Sequence, residues 1–515
     1  MPNQQLKFSA WAGSAHNLGA ADQFCVQINE NGQVLSLSAG EILLSRTLGN
    51  MLEGGLGQMF LRVHVSDLIE LHMLQGAQTE LTSFASEGDL AQWAGTVAGC
   101  AVRLSLRLDA AARMLFWDVD LKNESSEAIR LDTVWVQDVG LASRGALLSN
   151  EAYAAHYLDE SMLQDAVCGP VLSYRQNLKQ SGQHPWMMAA CLTGAASYAT
   201  DAFDVYGNSY RCGGGASGLL SETLANRRYQ FEFSCVALQS VPETLEPDTS
   251  TTVRYAVAYE ADHPEASSEK DLSVLAQMQA AAADVAIGDL GLSELAAPNQ
   301  VVQAPVAHGR DLTPAKLQDL FPSKWRHVEH HDDVVMSFFC DADTHVVTRA
   351  KEALMERPHG SILVGDAGTD SMREVLATTV YMYGVFSAQA VYGNTSFHKM
   401  NSLPREPLGL SRVAGMRIYF EAENCWQVLG TPSVFEMARD VCRWVYVFDQ
   451  ETITVRVGLD AGRDSYTVSA STTGAARRFL VSNELVMGAA ETDLNAALDV
   501  NEPDRLLTLA DCSNG

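Results

Sequence analysis

Val102-Arg-Leu-Ser-Leu-Arg-Leu-Asp109 decides how this chain is read. Valine and leucine occupy 102, 104, 106 and 108, with Arg103, Ser105, Arg107 and Asp109 between them. A β-strand sends successive side chains to opposite faces, so the pattern predicts a strand with one dry and one wet face. Leu115, Trp117, Val119 and Leu121 repeat it, Asn123-Glu-Ser-Ser-Glu127 supplies a turn, and Ile129 and Leu131 resume it. A meander of this kind must cover its apolar face, and a second sheet is the simplest cover. The expectation is a mainly β chain of two large antiparallel β-sandwich domains joined by a short helical linker.

On the N-terminal side, Phe24-Cys-Val-Gln-Ile28 and Gln33-Val-Leu-Ser-Leu37 flank Asn31-Gly32, a hairpin signal because both residues tolerate positive φ. Gly49-Asn-Met-Leu-Glu-Gly-Gly-Leu-Gly57 lacks the Gly-Lys-Ser/Thr ending of a phosphate loop. Close backbone packing is the simpler reason for those glycines. Further on, Cys212-Gly-Gly-Gly-Ala-Ser-Gly218 reads as a surface loop. Tyr229 to Leu238 and Thr251 to Tyr259 read as the strands that close a first sandwich over 1–266.

From Ser267 the period changes. Leu272, Leu275, Met278, Ala282 and Val285 fall three or four apart, which predicts a helix. Ala296-Ala-Pro to His308-Gly has linker composition, and Thr313-Pro314 has the cap and first residue of a short helix that Pro322 ends. Residues 267–322 are the expected linker and 323–515 the second sandwich. There, Gly415-Met-Arg-Ile-Tyr-Phe-Glu421, Trp426-Gln-Val-Leu429, Pro432 to Met437 and Cys442-Arg-Trp-Val-Tyr446 are strand runs. Asp449-Gln-Glu451 turns the hairpin between Trp444–Phe448 and Thr452–Val457. The tail from Leu506 starts a strand and stops, which reads as a second sandwich cut short.

A net charge of -28 opposes a nucleic-acid or anionic-membrane partner, because both need clustered Lys and Arg. Ten cysteines form no Cys-x-x-Cys pair and sit mostly in apolar runs, as small buried residues of a reducing compartment do. With no leader pattern and no membrane-length apolar run, the expected location is cytoplasmic.

Three segments carry candidate functional residues. Asn394, Thr395, Ser396, His398, Lys399 and Asn401 crowd one stretch, with Trp426 and Trp444 near in sequence. Uncharged hydrogen-bonding groups beside aromatic faces suit a hydroxyl-rich ligand such as a sugar. The alternative is a loop of capped backbone groups over core tryptophans. Gln137, Asp138 and Glu151 belong to a second set, in which Asp138 and Glu151 are either an acid/base pair of glycosidase type or, with their neighbours, a polar network between sheets. Arg349-Ala-Lys-Glu352 and Arg357-Pro-His359 are basic points for phosphate or sugar, or surface charge. His327, His330 and His331 lie on a predicted strand that scatters them to both faces, so no metal site is expected.

Several strings resemble a known family. Leu48 to Gly57, Gln137-Asp-Val-Gly140, Asn150-Glu-Ala-Tyr153, His184-Pro-Trp186 and Thr200-Asp201 look like the N-terminal sandwich of 1,2-β-oligoglucan phosphorylases. Arg357-Pro-His-Gly360, Thr395-Ser-Phe397, Pro432 to Met437 and Cys442-Arg-Trp444 resemble the sandwich that follows it. Cyclic β-1,2-glucan synthases and cellobiose phosphorylase are wider relatives. The resemblance implies galactose-mutarotase-like supersandwiches and a glycosyltransferase-type reaction. In it, inorganic phosphate attacks the anomeric carbon of a β-glucooligosaccharide with inversion, without metal or organic cofactor. It places the catalytic aspartic acid on an (α/α)₆ barrel, and this chain shows no run of paired amphipathic helices. No catalytic residue is carried over, and the chain is expected to be the N-terminal, carbohydrate-binding or structural portion. The other reading is a stand-alone carbohydrate-binding or subunit protein. By analogy, Arg357, His359 and the 393–401 loop wall the oligosaccharide end of the cleft.

Overall fold

The computed structural model describes residues 14–230, 232–283, 287–296, 299–341, 343–365, 375–393, 399–460, 464–486, 496–501 and 506–511. They are mostly β-strand, and nearly every strand pair is antiparallel. The chain divides into two compact units. The first takes Gly13–Gly207 and Gly215–Val302, and the second takes Asn208–Gly214 and Gln303–Gly515.

Two large sheets build most of the core of the first unit, and a five-stranded sheet adds Phe24, Val26, Ile28 and Leu37 to it. Met114–Asn123 is central in a nine-stranded sheet, paired with Cys100–Asp109 on one side and Ser250–Glu260 on the other. Trp117 stands opposite Leu106 on one neighbour and Tyr255 on the other, which puts all three on one face. The facing six-stranded sheet is built around Ile129–Asp138, whose Leu131 and Trp135 join that same core. Polar ties cross the gap at two points. Tyr255 Oη meets Thr133 Oγ1 at 2.8 Å, and Tyr174 Oη donates to the Cys235 carbonyl at 2.6 Å. The period-two alternation therefore does select the dry face.

The opposite face is drier than the alternation predicts. The helix Leu272–Ala283 lays Leu275, Met278 and Ala282 over Met114, Phe116, Trp186 and Met188. Arg107 stacks its guanidinium 4.2 Å above the Phe116 ring, and Arg254 pairs with the buried Asp118. Part of the expected linker stretch thus roofs the first sheet. Val285 lies outside the described residues.

Local signals place several other elements. Asn29 and Gly32 turn the hairpin between Phe24–Asn29 and Val34–Ala39, with Gly32 at φ 75° and the Asn29 carboxamide accepting the Asn31 and Gln33 amides. A Cβ on Gly49 would come within 2.3 Å of the Gly55 nitrogen, so that loop needs its glycines for backbone approach. Thr313 caps Pro314–Leu320 as expected. The Ala296–His308 stretch is more than a linker, since it holds the helix Gln300–Gln303 and the strand Val306–Ala307, which pairs in parallel with Cys425–Leu429.

The strand expected from Tyr229 begins only at Ser234. Before it, the Tyr229 amide donates to Thr200 Oγ1 at 2.8 Å and the Gln230 carboxamide donates to the Leu158 carbonyl, so those residues are held by side chains rather than a ladder.

In the second unit one seven-stranded sheet runs from Arg326–His331 to Tyr466–Thr472, and the other carries Gly360–Val364, Leu376–Tyr381, Val385–Tyr392 and Met416–Ala422. Val441–Val447 and Thr452–Leu459 form the expected hairpin. Trp444 is fully buried between Phe386 and Phe435, and its indole donates to the Tyr381 carbonyl. It is a core residue, not an exposed sugar platform. The tail strand Leu506–Asp511 pairs with Ala496–Asn501.

Replacing the core side chain Trp117→Ala should lower unfolding free energy by about 3–5 kcal/mol in urea titrations, the range for buried aromatic truncation. Arg103→Ala, an exposed partner of Asp289, should change it by less than about 0.5 kcal/mol. Equal losses in the two variants would contradict the assigned faces.

Candidate functional site

The structure distributes the sequence-derived candidates over both units. Gln137 and Asp138 end the strand Ile129–Asp138 and are buried. Asp138 Oδ2 accepts the Thr47 amide at 2.7 Å and Oδ1 accepts the Gln137 carboxamide at 2.8 Å. Burial raises the Asp138 pKa, against the Thr47 amide and the Arg46 charge. Those bonds tie the strand end to the 45–47 segment, and a sugar would have to displace them to reach the carboxyl. Glu151 is half-buried on the helix Arg144–Ala155, one residue past a break at Asn150, where φ is -165°.

In the second unit the Arg357–His359 turn is built from the inside outward. Arg211 and Glu352 form an ion pair at 2.8 Å with neither side chain exposed. The other Glu352 oxygen accepts the His359 amide at 2.9 Å and faces His359 Nδ1 at 2.6 Å. Arg211 spends its remaining N–H groups on the carbonyls of Asn208, Glu352, Met355, Glu356 and Pro407. This one guanidinium thus shapes the segment that ends in Arg357 and His359. The ring of His359 is fixed through Nδ1, which leaves Nε2 as the nitrogen for a ligand. Arg357 is exposed beside it.

Two expectations are corrected here. The Cys212–Gly218 stretch exposes Gly213, Gly214, Gly215 and Ser217 as a surface loop does, but Cys212 at its start is buried and belongs with Asn208–Gly214 to the second unit. The Arg349–Glu352 run is not simple surface charge either. It opens the helix Arg349–Leu354, Arg349 donates to the Cys212 carbonyl, and Lys351 pairs with Glu329.

Lys399 and Asn401 are buried, whereas Asn394, Thr395 and His398 lie outside the described residues. Asn401 donates to Ser387 Oγ at 2.9 Å, and its carbonyl accepts the Gln389 amide at 3.1 Å. It anchors the end of its loop to the sheet. His327, His330 and His331 are exposed on the strand Arg326–His331. Among the described residues no group of three or more His, Cys, Asp or Glu side chains gathers as a metal site.

Sequence reading missed two buried acids. Glu160 follows Leu158 and precedes Met162 on the inward side of its strand, a charge at a core-facing position. Burial pushes its pKa up to about 8. Glu406 is buried with its oxygens accepting the Leu408 amide at 2.7 Å and the Ser411 amide at 3.1 Å. Burial pushes it up to about 7, against those amides and Arg417. The alternation marks Glu160 as an inward charge, but no local pattern marks Glu406 or Arg211.

Removing Arg211 strands the Glu352 charge, so Arg211→Met should destabilise the second unit by about 3–5 kcal/mol in guanidinium unfolding. Arg211→Met combined with Glu352→Gln should recover part of that loss. For Glu406, the folded pKa lies above the unfolded 4.5, so between about pH 4.5 and 7 the folded chain keeps a proton that the unfolded chain has released. Its contribution to stability therefore falls as pH rises through that window, by roughly 3 kcal/mol at most. Unfolding curves of wild type and Glu406→Gln at pH 5 and 7.5 should show the steeper fall in the wild type, with the variant keeping the part that Glu160 contributes.

Comparison with known proteins finds matches to both sandwiches. Residues 27–256 match the SOGP N-terminal domain, and residues 321–514 match the glycoside phosphorylase supersandwich domain. A curated 1,2-beta-oligoglucan phosphorylase of Listeria innocua is 32% identical over 473 residues, 92% of this chain and 42% of the relative. The chain thus spans less than half the length of that relative. Among solved structures, a polysaccharide lyase overlaps 86% of this chain and 45% of its own at TM-score 0.30 and 8% identity. A galactose mutarotase related enzyme of Lactobacillus acidophilus overlaps 50% of this chain and 100% of its own at TM-score 0.28 and 8% identity. Such slight overlaps leave the fold to rest on the chain's own sheets and on the matched supersandwich. The chain thus carries an SOGP N-terminal domain followed by a glycoside phosphorylase supersandwich domain, and over that span it is similar to part of a 1,2-beta-oligoglucan phosphorylase.

Proposed function

We propose that these two sandwiches are the non-catalytic, carbohydrate-facing portion of an inverting glycoside phosphorylase that cleaves β-1,2-glucooligosaccharides with inorganic phosphate. The observation that carries this reading is the collinear match to the Listeria innocua enzyme across 92% of the chain. In that reaction phosphate is the nucleophile and a single protein carboxyl protonates the leaving oxygen, so no second carboxylate is required. The longest helices among the described residues, Arg144–Ala155 and Leu272–Ala283, have 12 residues each. We therefore assign the cleavage step to no described residue.

The oligosaccharide contact falls to the second unit. Arg357 and His359 stand on a turn whose shape the buried Arg211–Glu352 pair holds, which gives a ligand a rigid pair of donors. Asn394, Thr395 and His398, which lie outside the described residues, stay candidates for sugar contact on the 393–401 loop, whose end the buried Lys399 and Asn401 occupy. Gln137, Asp138 and Glu151 in the first unit serve as an internal polar brace. A cytoplasmic setting fits the free cysteines, which are buried except for Cys425 among those described, and no described helix is long and apolar enough to cross a membrane.

Calorimetry with sophorose oligosaccharides, run with and without phosphate, tests the proposal. Binding heat without release of glucose 1-phosphate by this chain is the expected result. Arg357→Ala should weaken binding about tenfold, the loss of one charge-assisted hydrogen bond. Absence of binding heat would remove the carbohydrate-facing role, and phosphorolysis by this chain alone would remove the non-catalytic one.

A further inference from the structure

One cluster inside the first unit is left unused by the sugar-facing reading. Glu160 belongs to the strand Leu158–Asp165, at the edge of the nine-stranded sheet, and is only 3% exposed. Tyr174, opposite it on the next strand, reaches across the sandwich to the Cys235 carbonyl, so Glu160 shares an interior face. Asp201 and Ser234 stand on the facing sheet, directly paired with one another and fully buried. The hydroxyls of Ser234 and Thr200 lie beside the Glu160 carboxyl, and Asp201 brings a second negative charge near it.

Asp201 Oδ1 accepts the Phe203 amide and Thr200 Oγ1 accepts the Tyr229 amide, but the Glu160 and Ser234 side of the cluster is not satisfied within the chain. Neither Glu160 oxygen, nor Ser234 Oγ, closes a hydrogen bond of ordinary length and angle. Native interiors pair such atoms, and a buried carboxylate without partners is among the costliest groups to keep. Ser234 is an independent sign, because it is a neutral oxygen with 0% exposure. The cation nearest in effect, Arg228, is itself exposed.

We propose that Glu160, Asp201, Ser234 and Thr200 form an all-oxygen site for a hard divalent cation, Ca²⁺ by preference, between the two sheets of the first unit. Carboxylate and hydroxyl oxygens without nitrogen or sulfur select Ca²⁺ or Mg²⁺ over zinc. Of these two, Ca²⁺ accepts the irregular geometry that ligands from two separate sheets impose, whereas Mg²⁺ demands a near-ideal octahedron. The bound ion cancels both acidic charges and pins the edge strand Leu158–Asp165 to the facing sheet. Its role is to hold the sandwich, apart from any step in sugar cleavage.

The test uses the whole chain after chelator treatment, titrated with calcium chloride and followed by calorimetry and by melting temperature. Wild type should show one saturable site and a melting temperature raised by several degrees. Glu160→Gln should lose both responses, and Ser234→Ala should bind about tenfold more weakly. A second reading needs no variant. Terbium added to the wild-type chain should luminesce through Tyr174, and Ca²⁺ should quench that signal by displacement. Identical calcium responses in wild type and Glu160→Gln, or only weak unsaturable heats with no terbium emission, would overturn the site and leave Glu160 a protonated acid or a partner of buried water.

Discussion

The pairing of Met114–Asn123 on both of its edges is the constraint on which the first unit depends. Once Trp117 is set opposite Leu106 and Tyr255, the inward face of three adjacent strands is fixed. A slip of one residue in either register would turn that face to the outside. The opposing sheet then has one way to bury Trp135 and Leu131, and the two interlayer hydrogen bonds from tyrosine hydroxyls lock it there. The helix Leu272–Ala283 has the other face to cover, which is why its apolar stripe matches Phe116 and Met188.

Buried charge does a different task. Arg62 is fully buried and held by Asp132, with its other N–H groups on the carbonyls of Leu219, Ser221 and Glu222. Arg211 repeats the device in the second unit with Glu352 and five carbonyls. In both places a planar five-donor cation organises an irregular segment that no ladder could hold. Such pairs add little net stability over apolar residues of equal volume, so their value lies in the shape they impose. In the second unit that shape is the turn bearing Arg357 and His359.

A phosphorylase places few demands on such sandwiches. Phosphate brings its own nucleophile, and the sheets need only present donors in a rigid frame. In the proposed reading that need falls to the His359 ring, fixed through one nitrogen by a buried carboxylate, and the exposed Arg357 guanidinium. The aromatic platforms suggested by Trp426 and Trp444 do not meet it, since Trp444 is packed in the core and Arg478 lies 5.5 Å over the Trp426 ring. The polar brace at Asp138 likewise turns inward, toward Thr47 and Gln137.

The order of residues by itself determined the class of fold, because side-chain alternation is a local consequence of backbone pleating. It gave the strands around Val102–Leu131, the Asn31–Gly32 hairpin, the Thr313 cap and the hairpin after Trp444, each a matter of a few neighbouring residues. The family strings around residues 48–57 and 432–444 were legible for the same reason. Tertiary structure alone decided the fate of the charges. Arg211 lies 141 residues from Glu352, and Glu160 meets Ser234 only after two sheets have closed on one another. Whether a charged side chain is surface, brace or ligand depends on what long-range packing brings to it, and no local pattern encodes that distance.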